Sequence, residues 1–183
     1  MGYLRQVRSA PPEPNFETSC LGVYEKELDY LFETLQRLGA NRREAEDLAQ
    51  EVFIILHRKW ANLDTSRPFR PYLFGVAFRV VCAHRRRNRR ELPYAHLDTE
   101  DQASGPEEML QSNESAGLLM AALETVPLAR RAVVVMHDLD GCSVVEVAAQ
   151  LSLTRFGVYA RLRKGRRELA SALRRLLRQR GRR

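Results

Sequence analysis

Lysine is almost missing from this 183-residue chain: all but Lys26, Lys59 and Lys164 of its 30 basic residues are arginine. Cysteine is as sparse. Cys20, Cys82 and Cys142 stand far apart and are odd in number, which excludes a disulfide framework and any thiolate motif built on close pairs. The histidines, His57, His84, His96 and His137, never share ligand spacing with a cysteine or with one another, so no metal and no other cofactor is expected. No apolar run approaches the ~18 residues of a membrane span, and membrane insertion is not expected. The opening MGYLRQVRSAPPEPNF also lacks the apolar core of a secretory signal, which predicts a cytoplasmic location. Glycine-rich phosphate loops and nucleophile elbows are absent as well. No catalytic residue, and no enzymatic activity, is expected.

What the chain does have is a formal net charge of +7, carried by a side chain whose planar fork suits phosphates and base edges. Nucleic acid is the natural partner for such a balance. Against it stands NRREAEDLAQEVF, residues 41 to 53, which crowds Glu44, Asp47 and Glu51 onto one helical face beside an apolar stripe.

Apolar spacing predicts an all-α protein of two small helical domains joined by an acidic, flexible linker. Leu21, Tyr24, Leu28, Leu31, Leu35 and Leu38 alternate spacings of three and four and predict one helix stopped by Gly39. Asn41 and Glu44 form a capping-box pattern ahead of Ala45, Leu48, Ala49, Val52, Ile55 and Leu56. A third helix carries Tyr72, Leu73, Val76, Ala77, Val80 and Val81 and ends in the cluster HRRRNRR. Residues 1–15 read as a disordered tail broken by prolines, and 16–90 as the first domain. Residues 91–113 hold Glu91, Asp98, Glu100, Asp101, Glu107 and Glu108 and neither lysine nor arginine, the composition of a solvated linker. The second domain is expected over 114–172 and a basic tail over 173–183.

Within that second domain Pro127 opens a helix, Asp140-Gly141 turns the chain, and Ser143 with Glu146 makes another capping box. SVVEVAAQL, the turn SLT and the basic RFGVYARLRKGRREL then spell a helix-turn-helix, with Thr154 as the N-cap of the second helix. Val158, Leu162 and Leu169 are expected inside, while Arg155, Tyr159, Arg161, Arg163, Lys164, Arg166 and Arg167 cover the rest. Aromatic residues at Phe69, Tyr72, Phe74 and Phe78 could stack single-stranded bases beside the arginines, although helical spacing makes most of them core. The carboxylates of residues 44–51 lack the Glu-x-x-His partners of a di-iron bundle. Docking of a basic partner, or a plain solvated face, remains.

Taken in order, EAEDLAQEVFIILHRKW, FRPYLFGVAFRVVCAHRRR and ALETVPLARRAVVVMHDLDGCSVVEVAAQLSLTRFGVYARLRKGRREL resemble the extracytoplasmic-function (ECF) group of bacterial sigma factors, in the sigma-70 superfamily. The resemblance implies a first domain (sigma region 2) that joins core RNA polymerase and opens the minus-ten element, and a second (sigma region 4) that reads the minus-thirty-five element of promoter DNA. It implies that Asp47, Leu48, Gln50 and Glu51, matching the family's D-L-x-Q-E motif, bind core polymerase. By the same analogy Asn62, Arg79, Arg85 and Arg86 serve the minus-ten element, and Arg155, Tyr159, Arg161, Arg163 and Lys164 the minus-thirty-five element. An anti-sigma factor is a further implied partner. The chain departs from the family's Pro-x-Gly-Thr-Val run with Thr154-Arg155-Phe156-Gly157-Val158, so either the start of the helix is remodelled or the Phe156 ring packs on the preceding turn. The competing reading is a stand-alone helix-turn-helix regulator with residues 16–90 as an oligomerisation domain; weaker still is an enzyme using the carboxylate stripe.

Overall fold

The computed structural model describes residues 19–64, 68–91 and 114–180. The expected tail 1–15 and all of the linker but its first residue therefore lie outside the described residues. Among those described, every regular element is a helix.

The first unit begins with α1 (Cys20–Lys26), whose first turn is held by Ser19 Oγ accepting from the Gly22 N–H at 3.1 Å. The single helix expected from Leu21 to Leu38 is in fact two. Glu27, at φ −102° and ψ 6°, separates α1 from α2 (Leu28–Arg37), though its N–H still reaches the Val23 and Tyr24 carbonyls. Long-range bonds fix this joint: Arg70 Nε grips the Glu27 carboxylate at 2.7 Å, and Tyr24 Oη donates to the Ala49 carbonyl. Leu21, counted in the apolar stripe, is 45% exposed. At the other end of α2, Gly39 takes φ +94°, a left-handed conformation costly for any residue with a Cβ.

Asn41 and Glu44 then make the expected reciprocal capping box, at 2.9 and 3.0 Å, and launch α3 (Arg42–Lys59). Ala45, Leu48, Ala49, Val52 and Leu56 of α3 are buried. A 3-10 turn, Trp60–Asn62, leads towards α4 (Phe69–Glu91). Leu73, Phe74, Val76, Ala77, Val80 and Val81 of α4 are all at most 2% exposed. So broad a buried face needs cover from two sides, and α4 packs on α2 and α3 along one flank and on the second unit along the other.

That second unit comprises α5 (Glu114–Glu124), α6 (Leu128–Val134), a π-helical turn (Val135–Leu139), α7 (Val144–Gln150) and α8 (Arg155–Arg180). Ser143 and Glu146 cap α7 reciprocally, and Thr154 Oγ1 accepts from the Gly157 N–H at 3.0 Å to cap α8. Gly165 lets α8 press on α6, since a Cβ there would lie 2.7 Å from a Val134 methyl. α8 runs unbroken to Arg180, so most of the expected basic tail is the last part of that helix.

The two units close directly on each other, and one continuous buried cluster contains residues of both. Small residues permit the approach: Gly75 of α4 lies against Gln150, where a Cβ would meet side chain and backbone at 3.0–3.2 Å.

Candidate functional site

The carboxylate stripe of α3 separates into three different situations. Glu44 is committed to the capping box and also meets His84 Nε2 at 3.4 Å. Glu51 is held by Arg87 of α4, with contacts at 2.8 and 3.4 Å. Asp47 is exposed and makes no ion pair or hydrogen bond among the described residues; Gln50 is exposed beside it. Leu48, expected to contact a partner, is 2% exposed and belongs to the core. It is three residues from Ala45 and four from Val52, so helical geometry turns it inward with them.

The residues expected at the minus-ten element divide in the same way. Asn62 is exposed at the end of the 3-10 turn, and Arg86 is exposed near the end of α4. Arg79 is exposed but spends a donor on the Gln150 carbonyl of the second unit at 3.2 Å. Arg85 is half-buried and donates to the Leu38 carbonyl at 3.0 Å, satisfying an end of α2 that has no intrahelical partner. The cause is simple: a long arginine reaches the nearest orphaned carbonyl before it reaches solvent. The aromatic residues of α4 are core and near-core: Phe74 is fully buried, and Phe69, Tyr72 and Phe78 are half-buried against the cluster.

On α8, Val158, Leu162 and Gly165 face inward. At about 100° per residue the opposite side carries Phe156, Ala160, Arg163 and Arg167, with Tyr159 and Lys164 on its flanks. Arg155, Tyr159, Arg163 and Lys164 are exposed. Arg161 is half-buried and points about 160° away from Arg163. Arg166 is bound by both oxygens of Asp138 in the π turn, the Nε contact being 2.8 Å, and this hydrogen bonding keeps its guanidinium firmly charged. Phe156, expected either to remodel the start of the helix or to pack on the turn, does neither: the cap forms normally and the ring is 82% exposed.

Sequence reasoning missed the polar cluster where the units meet. Tyr30 Oη donates to Asp140 Oδ2 at 2.8 Å, and Arg37 approaches Oδ1 at 3.4 Å while also holding Glu33. The Asp140 side chain is 7% exposed. Burial raises its carboxyl above the ordinary value of 3.8, against the lowering effects of Tyr30, Arg37 and Arg70. Burial, then the Asp140 charge, pushes the Tyr30 hydroxyl far up. Cys142 next door is raised to about 11 by burial first and Asp140 second, so its thiol stays protonated at neutral pH. The signal in the sequence was an Asp-Gly pair, which reads as a turn; nothing local says that its carboxylate finds a partner 110 residues away.

Comparison with known proteins supplies the frame for these surfaces. Residues 23–91 match sigma-70 region 2, and residues 116–169 match sigma-70 region 4. The ECF RNA polymerase sigma factor SigE of Mycolicibacterium smegmatis is 32% identical over 151 residues, 79% of this chain and 58% of that protein. SigW of Bacillus subtilis, another ECF RNA polymerase sigma factor, is 28% identical over 160 residues, covering 80% of this chain and 84% of its own. The chain thus spans little more than half the length of the first relative and most of the second. In fold it is similar to the sigma factor RpoE of Bartonella quintana, solved in complex with the anti-sigma factor NepR, with a TM-score of 0.64 at 16% identity over 83% of this chain and 97% of that one. With both regions present in order and these relatives alongside, the chain belongs to the extracytoplasmic-function group of the sigma-70 family.

Proposed function

We propose that this chain directs promoter-specific transcription initiation: it binds core RNA polymerase through α3 and promoter DNA through α4 and α8, and has no catalytic role of its own. The observation that carries the polymerase assignment is the state of Asp47, an exposed carboxylate without an ion pair among the described residues, whose neighbouring acids Glu44 and Glu51 are internally engaged. An unpaired charge has no internal partner to lose when it docks. Asp47 and Gln50 are therefore the contact residues on this reading, with Leu48 supporting them from the core.

The test is reconstitution with core polymerase. Asp47→Lys is expected to weaken core binding at least tenfold and to abolish transcription from a cognate promoter. Circular dichroism and thermal stability should stay unchanged, because surface substitutions usually cost under about 0.5 kcal/mol. Unchanged core affinity would remove the assignment. Tight, selective promoter binding by the free chain, with no polymerase present, would favour the stand-alone regulator.

Such a role requires the units to separate. Elements centred near minus ten and minus thirty-five lie about 25 base pairs apart, roughly 85 Å at 3.4 Å per step. A closed globule of this length has a radius of gyration of about 16 Å. The Tyr30–Asp140 contact and the Arg79–Gln150 contact must then break in the initiation complex, which frees Arg79 for DNA. An anti-sigma partner fits this scheme as a protein that holds the closed arrangement; the similar RpoE fold was solved in complex with an anti-sigma factor.

The closing energy of the polar cluster is measurable by a double-mutant cycle on Tyr30→Phe and Asp140→Ala, read as the urea midpoint of closure. Coupling of about 1 kcal/mol is expected for a half-buried, charge-assisted pair. Because the closed state raises the Asp140 carboxyl above 3.8, closure takes up a proton there. It should strengthen as pH falls from above that raised value towards 3.8, and Asp140→Asn should remove this part of the pH dependence. A coupling energy of zero would show that the cluster does not hold the units together.

A further inference from the structure

Phe156 is the most exposed large hydrophobic residue described, at 82%, and it stands in the second position of a 26-residue helix. Among the described residues it takes part in no ring contact and is not packed against the buried cluster. It does not support the helix cap either, which Thr154 makes with the Gly157 N–H. Helical geometry sets Phe156 directly opposite the buried Val158, Leu162 and Gly165, in the middle of the outward face. Tyr159, 60% exposed, lies one turn on, and the exposed Arg163 and Arg167 continue the same line.

Charge selects the partner for this face. The only acidic residue of α8, Glu168, is turned to Arg130 at 2.8 Å. Arg155 beside the ring, with the exposed Arg163, Lys164 and Arg167 two to three turns further along the helix and in no ion pair among the described residues, therefore gives this face a positive surround. A polyanion suits that surround. Residues at the start of the second helix of a helix-turn-helix are the ones that reach base edges. A phenyl ring can neither donate nor accept a conventional hydrogen bond, so the polar edges of guanine, adenine and cytosine offer it little. The major groove has one apolar feature, the 5-methyl group of thymine.

We propose that Phe156 is a specificity-determining residue that packs on a thymine 5-methyl group in the upstream promoter element, while Arg163 and Lys164 hold the adjacent backbone or bases. The inference rests on the DNA-binding reading of α8 and adds a base preference to it. It also gives the departure at Thr154-Arg155-Phe156-Gly157 a role: the ring widens the readout by one position at the leading end of the helix, and Gly157 keeps the cap uncrowded, since a Cβ there would sit 3.2 Å from Thr154 Oγ1.

The experiment uses the holoenzyme assembled from core polymerase and the full chain. Duplexes randomised over the upstream element are selected with the unaltered chain, with Phe156→Ala and with Arg163→Ala. Each thymine of the recovered site is then replaced by uracil, which removes only the methyl group. The expected result is a thymine position at which uracil weakens the unaltered holoenzyme about fourfold, the worth of one methyl group taken out of water. Phe156→Ala should be insensitive to that replacement, and Phe156→Leu should retain part of the discrimination. Arg163→Ala should lose affinity without changing the thymine-to-uracil ratio. Equal uracil penalties in the unaltered chain and in Phe156→Ala would overturn the proposal. An unchanged selected sequence with weakened core polymerase binding would overturn it too, and give the ring to a protein partner. If no upstream sequence is selected even by the unaltered chain, the DNA-binding reading of α8 falls with it. Selection that persists without the uracil coupling removes the Phe156 role alone.

Discussion

Arg131→Met is expected to lower the unfolding free energy by about 3 kcal/mol, a loss read as a fall in both melting temperature and urea midpoint. Arg131 is 2% exposed, in the heart of the second unit. Its Nε donates to the Val126 carbonyl at 3.1 Å and its NH2 group to the Glu124 carbonyl at 2.6 Å. Both acceptors belong to the end of α5 and the turn after it, where carbonyls have no intrahelical donor. Methionine keeps much of the stem's volume and apolar contact but leaves these oxygens dry and unpaired, at about 1–3 kcal/mol each before relaxation. The Glu124 carboxyl, raised chiefly by burial and lowered by Arg131, would lose its counter-charge and rise further. Arg131→Lys should recover little, because a single ammonium cannot span two carbonyls as a planar fork does. A loss below about 1 kcal/mol for Arg131→Met would mean that water replaces the guanidinium at no great cost, and that Arg131 does not hold this corner together.

Much of the fold was legible because it depends on neighbours in sequence. The Asn41 and Ser143 capping boxes, the Thr154 cap and the glycine stop at Gly39 each involve groups within a few residues, and each appears as expected. The break at Glu27 was not legible, since the periodic stripe passes through it undisturbed and the bond that fixes it comes from Arg70, 43 residues on. The same limit explains the site. Periodicity put Glu44, Asp47 and Glu51 on one face but could not say that two of them would be taken, one by its own cap and His84 and one by Arg87.

Arginine is where sequence says least about the use of a side chain. A run such as HRRRNRR looks uniformly available to a polyanion, yet Arg85 is drawn to a helix end. Arg131 and Arg166, in other helices, are likewise drawn to carbonyls and to a carboxylate. In a chain with three lysines and many arginines, internal polar groups are satisfied by the same side chain that would meet DNA. Only burial and bonding in the folded chain separate the two uses. Phe156 is the reverse case, an apolar residue whose sequence context suggested a remodelled helix start or packing on the turn, and whose position leaves it in solvent.

Gly39 lies where the two units meet, and Gly39→Ala is expected to cost about 3 kcal/mol, with part of the loss appearing as separation of the units. Two effects add. The left-handed φ of +94° costs an L-residue about 1–2 kcal/mol. The new Cβ would also lie 2.3 Å from one Arg131 nitrogen and 2.5 Å from one Arg85 nitrogen. Side-chain ends normally yield to such contact, but Arg85 is tied to the Leu38 carbonyl and Arg131 is buried with its other nitrogens engaged. Because Arg131 belongs to the second unit and Gly39 to the first, the least costly relief is for the units to move apart. X-ray scattering should then show a larger radius of gyration while far-UV circular dichroism is retained. Gly39→Asn separates the causes, since asparagine tolerates the left-handed conformation but still carries a Cβ. Equal opening by Ala and Asn would assign the effect to the two guanidinium groups, and recovery by Asn would assign it to backbone strain. A Gly39→Ala chain as compact and stable as the original would show that α2 can end otherwise, and that closure does not depend on this contact.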